Sequence, residues 1–354
     1  MSIPTQQKAL LLPSKGADFT LGTVEVPKPE AGEVLVRVEA AGLNPLDYKI
    51  QELGFFISEF PAILGCDASG VVAAVGNGVT ALAIGDKVLF ETNPGYRNAA
   101  FQQFTIIKAS LTSKIPAKIS FDEAATLPCC LMTAANGLYT GFVPHLLRGG
   151  ASLTPFWAEG GRGKYAGQPI VIFGGAASVG QYAIQLARIS GFSPIITTAS
   201  LRNAERLKSI GATHVIDRGL SQADIIAKVK EITAKPVHVV YDAVGIPETQ
   251  NTGYDIIAPG GTLLVVLPPA VDQEKITSDK HLFMVMGSVD LPEYEESGAG
   301  LFRVLPELLA SGQIKPNVPG YIPGGLSGIT EGLEKLKRNE VSAKKLVVRP
   351  SETI

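Results

Sequence analysis

The chain has 354 residues, 45% of them hydrophobic, with 38 glycines and 24 prolines, a length and mix that suit a globular protein of two domains with an ample core. Its 31 basic and 33 acidic side chains leave a formal net charge of -2, too even a balance to imply a nucleic-acid or membrane partner. Cysteines at Cys66, Cys129 and Cys130 and histidines at His145, His214, His238 and His281, none spaced as a ligand pair, exclude a disulfide framework and a four-cysteine zinc site and argue against any metal site.

The opening residues MSIPTQQKALLLPSKG lack a charged segment followed by a long apolar run, so no signal peptide is expected. No apolar stretch approaches the roughly 18 residues of a membrane helix. The expected location is the cytoplasm. Residues 1 to about 125 read as β-rich: EVLVRVEAAGLN alternates from Val34, and SGVVAAVGNGV and GDKVLF are short runs punctuated by glycine. From about residue 126 the texture changes to helical spacing in CLMTAANGLYTGF and then to alternating strands and helices at βαβ intervals. Strands are predicted at 170–173, 194–198, 214–216, 237–242 and 262–267. Their unbroken apolar runs suit a parallel sheet covered on both faces.

Between the first two strands, Val179, Ala183, Ile184, Leu186 and Ala187 form one apolar helical face that ends at Gly191. NAERLKSIG gives a second crossover helix. The glycine-rich stretch from Leu146 to Gln168 is expected to be a long surface loop. LPELLASGQIKP and GLEKLKRN read as helices, and KKLVVRP as a closing strand that returns to the first domain. The expected fold class is therefore α/β, with a β-rich domain from 1–125 and 305–354 and a doubly wound parallel sheet from 126–304.

The segment Gly174-Gly175-Ala176-Ala177-Ser178-Val179-Gly180 follows an apolar strand and opens an amphipathic helix. That setting aims helix N–H groups and the positive end of the helix dipole at whatever lies above the turn, which favours a pyrophosphate. Enzymes that use NAD hold the ribose with an acid roughly 20 residues further on. Here the second strand ends IITTASLRN, with no acid from Ile195 to Asn203. Ser200, Arg202 and Asn203, with Arg218 after the third strand, offer instead donors and positive charge for a 2′-phosphate. The residues favour NADPH.

The motifs GLNPLDYK, PAILGCDASGVVAAVG, GDKV, LPCCLMTAANGL and GGAASVGQYAIQLARISG, followed by the terminal KKLVV, occur in an order that resembles the medium-chain dehydrogenase/reductase superfamily over nearly the whole chain. The zinc-independent quinone oxidoreductases and enoyl reductases are the most similar branch, fungal trans-acting enoyl reductases and double-bond reductases above all. The resemblance implies a GroES-like catalytic domain, a Rossmann domain and a site in the cleft between them. Zinc enzymes of the superfamily carry a cysteine near the position of Asn44 and Gly-His-Glu where this chain has Gly65-Cys66-Asp67. With those ligands missing, the zinc-alkoxide route of alcohol oxidation is not available, and Cys66 reads as a small buried apolar residue.

The resemblance also puts Asn44 and Asp47 at the cleft, and Thr133 where the family contacts nicotinamide or substrate. Tyr48 and Lys49 are the nearest candidates for carbonyl polarisation or proton donation, although Asp47 can serve as a helix cap and Tyr48 as packing. Mitochondrial-type enoyl reductases have a tyrosine just after this segment, where Phe55 and Phe56 stand here as candidate pocket walls. Val244 in DAVG and Leu267 in VVLPP end the fourth and fifth strands, facing the crevice. Met286 resembles the position that reaches the carboxamide, and Lys344 the one that touches the cofactor or lines the cleft.

Without a metal, hydride transfer to an activated C=C bond remains feasible, because it needs position, a stabilised enolate and a proton. The expected activity is NADPH-dependent reduction of an α,β-unsaturated carbonyl compound, either a small enal or enone or an acyl chain carried by a polyketide synthase. A quinone oxidoreductase and a non-catalytic NADPH-binding protein remain as alternatives, and the chain reads as a monomer or a homodimer.

Overall fold

The computed structural model describes residues 3–93, 95 and 97–354. Strands β1 (Gln6–Leu12), β2 (Thr20–Glu25) and β3 (Glu33–Gly42) lead into helix α1 (Pro45–Leu53). Next come β4 (Ala62–Ile63), β5 (Asp67–Val75), β6 (Lys87–Glu91), β7 (Phe104–Lys108), β8 (Thr112–Lys114) and the short helix α2 (Phe121–Ala124). The alternation in β3 is clear only around Arg37 and Glu39, since Leu35 and Ala40–Gly42 are buried as well. Val34, Val36 and Val38 are buried in the core of this β-rich part, while Arg37 and Glu39 between and beyond them form an ion pair at 2.7 Å.

The second part comprises α3 (Pro128–Tyr139), β9 (Ile170–Phe173), α4 (Ser178–Ser190), β10 (Ile195–Ala199), α5 (Ala204–Ile210), β11 (His214–Asp217), α6 (Gln222–Ile232), β12 (Val237–Asp242), α7 (Pro247–Ile256), β13 (Ile257–Val265), β14 (His281–Met284) and α8 (Pro292–Ser311). Its six strands are all parallel, in the order β11-β10-β9-β12-β13-β14. By position in the chain that is 3-2-1-4-5-6, the dinucleotide-binding arrangement, and its order reverses between β9 and β12. Every residue of β9 is buried, as unbroken apolar runs covered on both faces require.

The chain then returns through β15 (Val318–Tyr321), α9 (Ile329–Lys337) and β16 (Lys344–Val348). β16 pairs antiparallel with β3, so the terminal strand joins the first sheet. A boundary at 304/305 falls inside the continuous helix α8, so the return is made after Gly312, where a left-handed glycine ends that helix. The fifth strand starts earlier than its apolar run and ends at Val265, leaving Leu267 in the turn that follows. The stretch from Leu146 to Gln168 has little regular structure, but it is not merely a surface loop. Phe156 is buried and stacks edge-on with Tyr139 and Trp157, and Tyr165 stacks flat on Phe192; three aromatic anchors fasten a glycine-rich strap to the core. Among the described residues no helix is long and apolar enough to cross a membrane.

Candidate active site

The glycine turn sits at the carboxyl end of β9, at the switch point of the sheet. Gly174 has φ of 73° and a Cβ there would lie 2.6 Å from Val244, so only glycine fits the bend. A Cβ on Gly175 would meet Thr197 Oγ1 at 2.1 Å. Ala177, which stands where a further glycine is often found, has φ of -67°, an ordinary conformation that needs no glycine. Gly174 N–H donates to Thr198 Oγ1 and Gly175 N–H to the Thr198 carbonyl, tying the turn to β10. No side chain caps α4, so its first-turn N–H groups at Ser178, Val179 and Gly180 lack intrahelical partners and confront the space above the turn.

At the end of β10 the Arg218 N–H donates to the Ala199 carbonyl at 3.1 Å, which brings the third strand's arginine beside Ser200. Arg202 and Arg218 are exposed, and Ser200 and Asn203 are half-buried. Asn203 also donates from Nδ2 to Ser342 Oγ at 3.4 Å, a contact with the loop before β16.

The other strand ends close the crevice. Asp242 is buried, and its carboxylate accepts from the N–H groups of Val244 and Gly245 and from Thr249 Oγ1, fixing the turn that presents Val244. Gly245 lies against Leu267. After β14, the Asn136 amide donates to the carbonyls of Met286 and Ser288, and Gly287 is pressed against Thr133, whose Oγ1 would lie 2.0 Å from a Cβ there. Thr133 is the one residue of α3 that is not buried. Its hydroxyl donates to the Cys129 carbonyl at 2.7 Å, and Tyr241 OH donates to its own carbonyl at 2.8 Å. Gly174 thus adjoins Val244 and Gly245 adjoins Leu267, while the Met286–Gly287 segment adjoins Asn136 and Thr133 of α3.

Beside the amino end of α3 lies a buried polar cluster that the sequence discloses only in part. Asn44 is at the cleft side, but both halves of its amide are engaged: Nδ2 donates to Asp67 Oδ2 at 2.7 Å, and Oδ1 accepts from Lys345 Nζ at 2.7 Å. Buried as it is, Asn44 is held by this cluster through both atoms of its amide. The lysine of this buried cluster is Lys345, the neighbour of Lys344. Successive residues of a strand face opposite sides, so Lys344 is exposed and Lys345 is buried. Burial works against the Lys345 charge, but Asp67 more than offsets it and holds the ammonium charged well above the usual lysine range.

Asp47 is buried and accepts from the Asn44 N–H at 2.7 Å, completing half of a capping box for α1. Burial, reinforced by Asp67, pushes its carboxyl up to about 7. Tyr48 and Lys49 are half-buried on α1. Burial raises the Tyr48 phenol, with Glu52 adding to it, and burial lowers the Lys49 ammonium. No described hydrogen bond joins either residue to Thr133 or to the cluster. Phe55 packs on the first core and meets Phe56 edge-on at 5.0 Å, whereas Phe56 itself is 59% exposed with φ of 66°. As a wall of a closed pocket Phe56 is therefore not supported; it lies on the surface.

The donor set does not suit a divalent metal. Asn44 and Asp67 are committed to an ammonium, and burial raises the thiols of Cys66, Cys129 and Cys130. Among the described residues no three His, Cys, Asp or Glu side chains converge on a metal-sized site. Two shallow hollows of about 240 and 340 Å³, around Pro236 and Lys235, lie at the amino ends of β9 and β12, opposite the crevice.

The chain matches the alcohol dehydrogenase GroES-like domain family over residues 30–117 and the zinc-binding dehydrogenase family over residues 178–286. It is 34% identical over 332 residues to a trans-enoyl reductase of Aspergillus japonicus, covering 91% of this chain and 90% of that protein. Among solved structures, an alcohol dehydrogenase superfamily protein from Novosphingobium aromaticivorans superposes with a TM-score of 0.78 at 26% identity, over 97% of this chain and 99% of the other. A mycobacterial protein solved in complex with NADPH shares the fold, with a TM-score of 0.74 at 24% identity over 97% of this chain and all of its own.

Proposed function

Because this chain belongs to the medium-chain dehydrogenase/reductase superfamily, on the branch of the fungal trans-enoyl reductases, we propose that it reduces the C=C bond of an α,β-unsaturated carbonyl compound with NADPH. It is an oxidoreductase of a GroES-like domain and a Rossmann domain. The observation that carries the finer reading is the cluster beside Thr133. Where a carbonyl-reducing enzyme of this fold relies on a metal, this chain has Asn44, Asp67 and the Lys345 ammonium. That set offers no Lewis acid for a carbonyl oxygen, and alkene reduction needs none. The relative's name, trans-enoyl reductase, favours an enoyl thioester among the candidate substrates.

The fit for NADPH rests on the uncapped amino end of α4 over a turn that only glycine can form, and on the acid-free end of β10. The glycine turn and α4 would hold the pyrophosphate. Ser200, Arg202, Asn203 and Arg218 would hold the 2′-phosphate, with exposed Lys344 at the margin. Val244, Leu267 and Met286 would flank the nicotinamide. The chemistry NADPH supplies when bound is a hydride, delivered to the β-carbon.

The chain's own part is to orient, exclude water and move one proton. Thr133, open to the crevice on an otherwise buried helix, orients the substrate carbonyl or the carboxamide. A proton must reach the α-carbon as the enolate collapses, and Lys49, whose ammonium burial makes more acidic, and Tyr48 are the candidates on α1. Phe55 offers apolar surface to the acyl chain.

The test is turnover of NADPH by the purified protein with an enal, an enone, an enoyl thioester, a quinone and a ketone. Oxidation with the unsaturated carbonyl compounds, and little with quinone or ketone, is expected. Consumption with the quinone alone, accompanied by semiquinone, would overturn the reading in favour of a quinone reductase. NADPH binding without turnover of any of the five would favour a binding protein.

A further inference from the structure

We propose that the buried pair Asp67–Lys345 is a positioning device that sets the amino end of α3, and through it the place of Thr133 in the crevice. The proposal rests on the reading of that crevice as the reaction site.

Asp67 opens β5 with no exposure, and its carboxylate is engaged at both oxygens by three donors from three segments. Oδ1 accepts from the Cys129 N–H at 2.6 Å, and Oδ2 accepts from Asn44 Nδ2 at 2.7 Å and from Lys345 Nζ at 2.5 Å. Lys345 spends its donors as completely, on Asp67, on Asn44 Oδ1 at 2.7 Å and on Cys130 Sγ at 3.1 Å. Room for the lysine is built in: a Cβ on Gly42 would lie 3.2 Å from Lys345 Cε and 3.0 Å from Asp67 Cβ.

Cys129 N–H belongs to the first turn of α3, where a carboxylate satisfies an orphan donor and meets the positive end of the helix dipole. The residue at N-cap, Leu127, has no side chain able to do this. Thr133 lies one turn further on and hangs its hydroxyl on the Cys129 carbonyl. Cys129 is therefore fixed from one side by Asp67 and fixes Thr133 on the other. Lys345 compensates a carboxylate that would otherwise be buried unpaired. Since β5 and β16 lie in the first sheet and α3 packs on α4 of the second part, the pair also couples the two parts at the crevice.

The test is a cycle built on Asp67→Leu/Lys345→Met, which removes both charges together so that neither is left buried alone, and on Thr133→Val. NADPH affinity measured by titration should stay within about twofold, because the glycine turn is untouched. kcat should fall by about 10- to 100-fold, the scale of a misplaced reacting group. Adding Thr133→Val to the double variant should cost far less than it costs the wild type. Hydrogen exchange gives a readout independent of turnover: peptides from Pro128 to Tyr139 should exchange faster in the double variant, and those from α4 should not. A folded double variant with wild-type kcat, or with costs that add to that of Thr133→Val, would overturn the proposal; so would unchanged exchange in α3. If the wild type itself turns over no unsaturated carbonyl compound, the reaction reading fails, and exchange alone decides whether the pair positions α3. If the double variant does not fold, Lys345→Gln and Asp67→Asn are compared singly by the same two measurements.

Discussion

Replacing Gly175 with alanine should damage cofactor binding well beyond the size of a methyl group. The new Cβ would stand 2.1 Å from Thr197 Oγ1 and 3.0 Å from its Cβ and Cγ2. Thr197 cannot yield. It is β-branched, fully buried in β10, and its hydroxyl donates to the Ile172 carbonyl at 2.7 Å. Relief must come from the turn moving away by about an ångström, at a cost of about 1–3 kcal/mol for overpacking a filled site. That motion breaks the Gly175 N–H bond to the Thr198 carbonyl and carries the amino end of α4 with it. NADPH affinity should fall by about tenfold or more, since each 1.4 kcal/mol of lost interaction is a factor of ten. Ala177→Gly is the control. At φ of -67° the backbone there needs no glycine, and at a helix N-cap glycine is no worse than alanine, so stability should change little and NADPH affinity should fall far less than in Gly175→Ala. Fluorescence titration with NADPH, beside urea unfolding of both variants, reads the two effects separately. A folded Gly175→Ala protein that binds NADPH as well as the wild type would refute the idea that this turn cradles the pyrophosphate.

Arg202→Ala and Arg218→Ala should each weaken NADPH by about fivefold, a charge-assisted contact discounted for exposure, and leave NADH unchanged. Equal losses for both dinucleotides would disprove the 2′-phosphate assignment. Asp47 makes stability depend on pH in an unusual direction. Its carboxyl is held near 7 in the folded protein against an ordinary 3.8, so between those values the native state keeps a proton that the unfolded chain has lost. The stability it contributes is full below about pH 4 and drains away as pH rises through about 7, by up to about 4 kcal/mol for a shift of some three units. Urea unfolding of Asp47→Asn should show that decline removed, and an unchanged pH slope would contradict the burial argument.

The parallel sheet was readable because each strand is a run of apolar residues too short for a helix and bounded by turns. Its helices were less so. α7 has the sequence PETQNTGYDI, which looks like surface, yet Gln250, Asn251 and Thr252 are buried and satisfied by backbone partners such as the carbonyls of Gly245 and Pro268. Hydrophobic periodicity cannot register a helix whose inner face is polar. The strap from Leu146 to Gln168 is the irregular loop its glycines suggest, but their pattern hides the anchoring by Phe156, Trp157 and Tyr165.

The site shows the same division. The glycine turn and the arginine-flanked end of β10 depend on local order along the chain and could be read from it. The Asn44–Asp67–Lys345 cluster joins segments about 300 residues apart, and no local pattern separates Lys345 from its neighbour Lys344. Strand alternation in KKLVV says only that one of the two faces inward. That the Asn44 amide is engaged on both sides lies in contacts rather than in residue type.

Hydride transfer to an alkene carbon is tested by following the hydride itself. NADPH carrying deuterium at both C4 positions of the nicotinamide is incubated with the protein and an enoyl thioester, and the product is examined by mass spectrometry and NMR. One deuterium at the β-carbon and a solvent-derived proton at the α-carbon are expected. Deuterium at the carbonyl carbon, or oxidised NADPH with no deuterium in the product, would contradict that transfer.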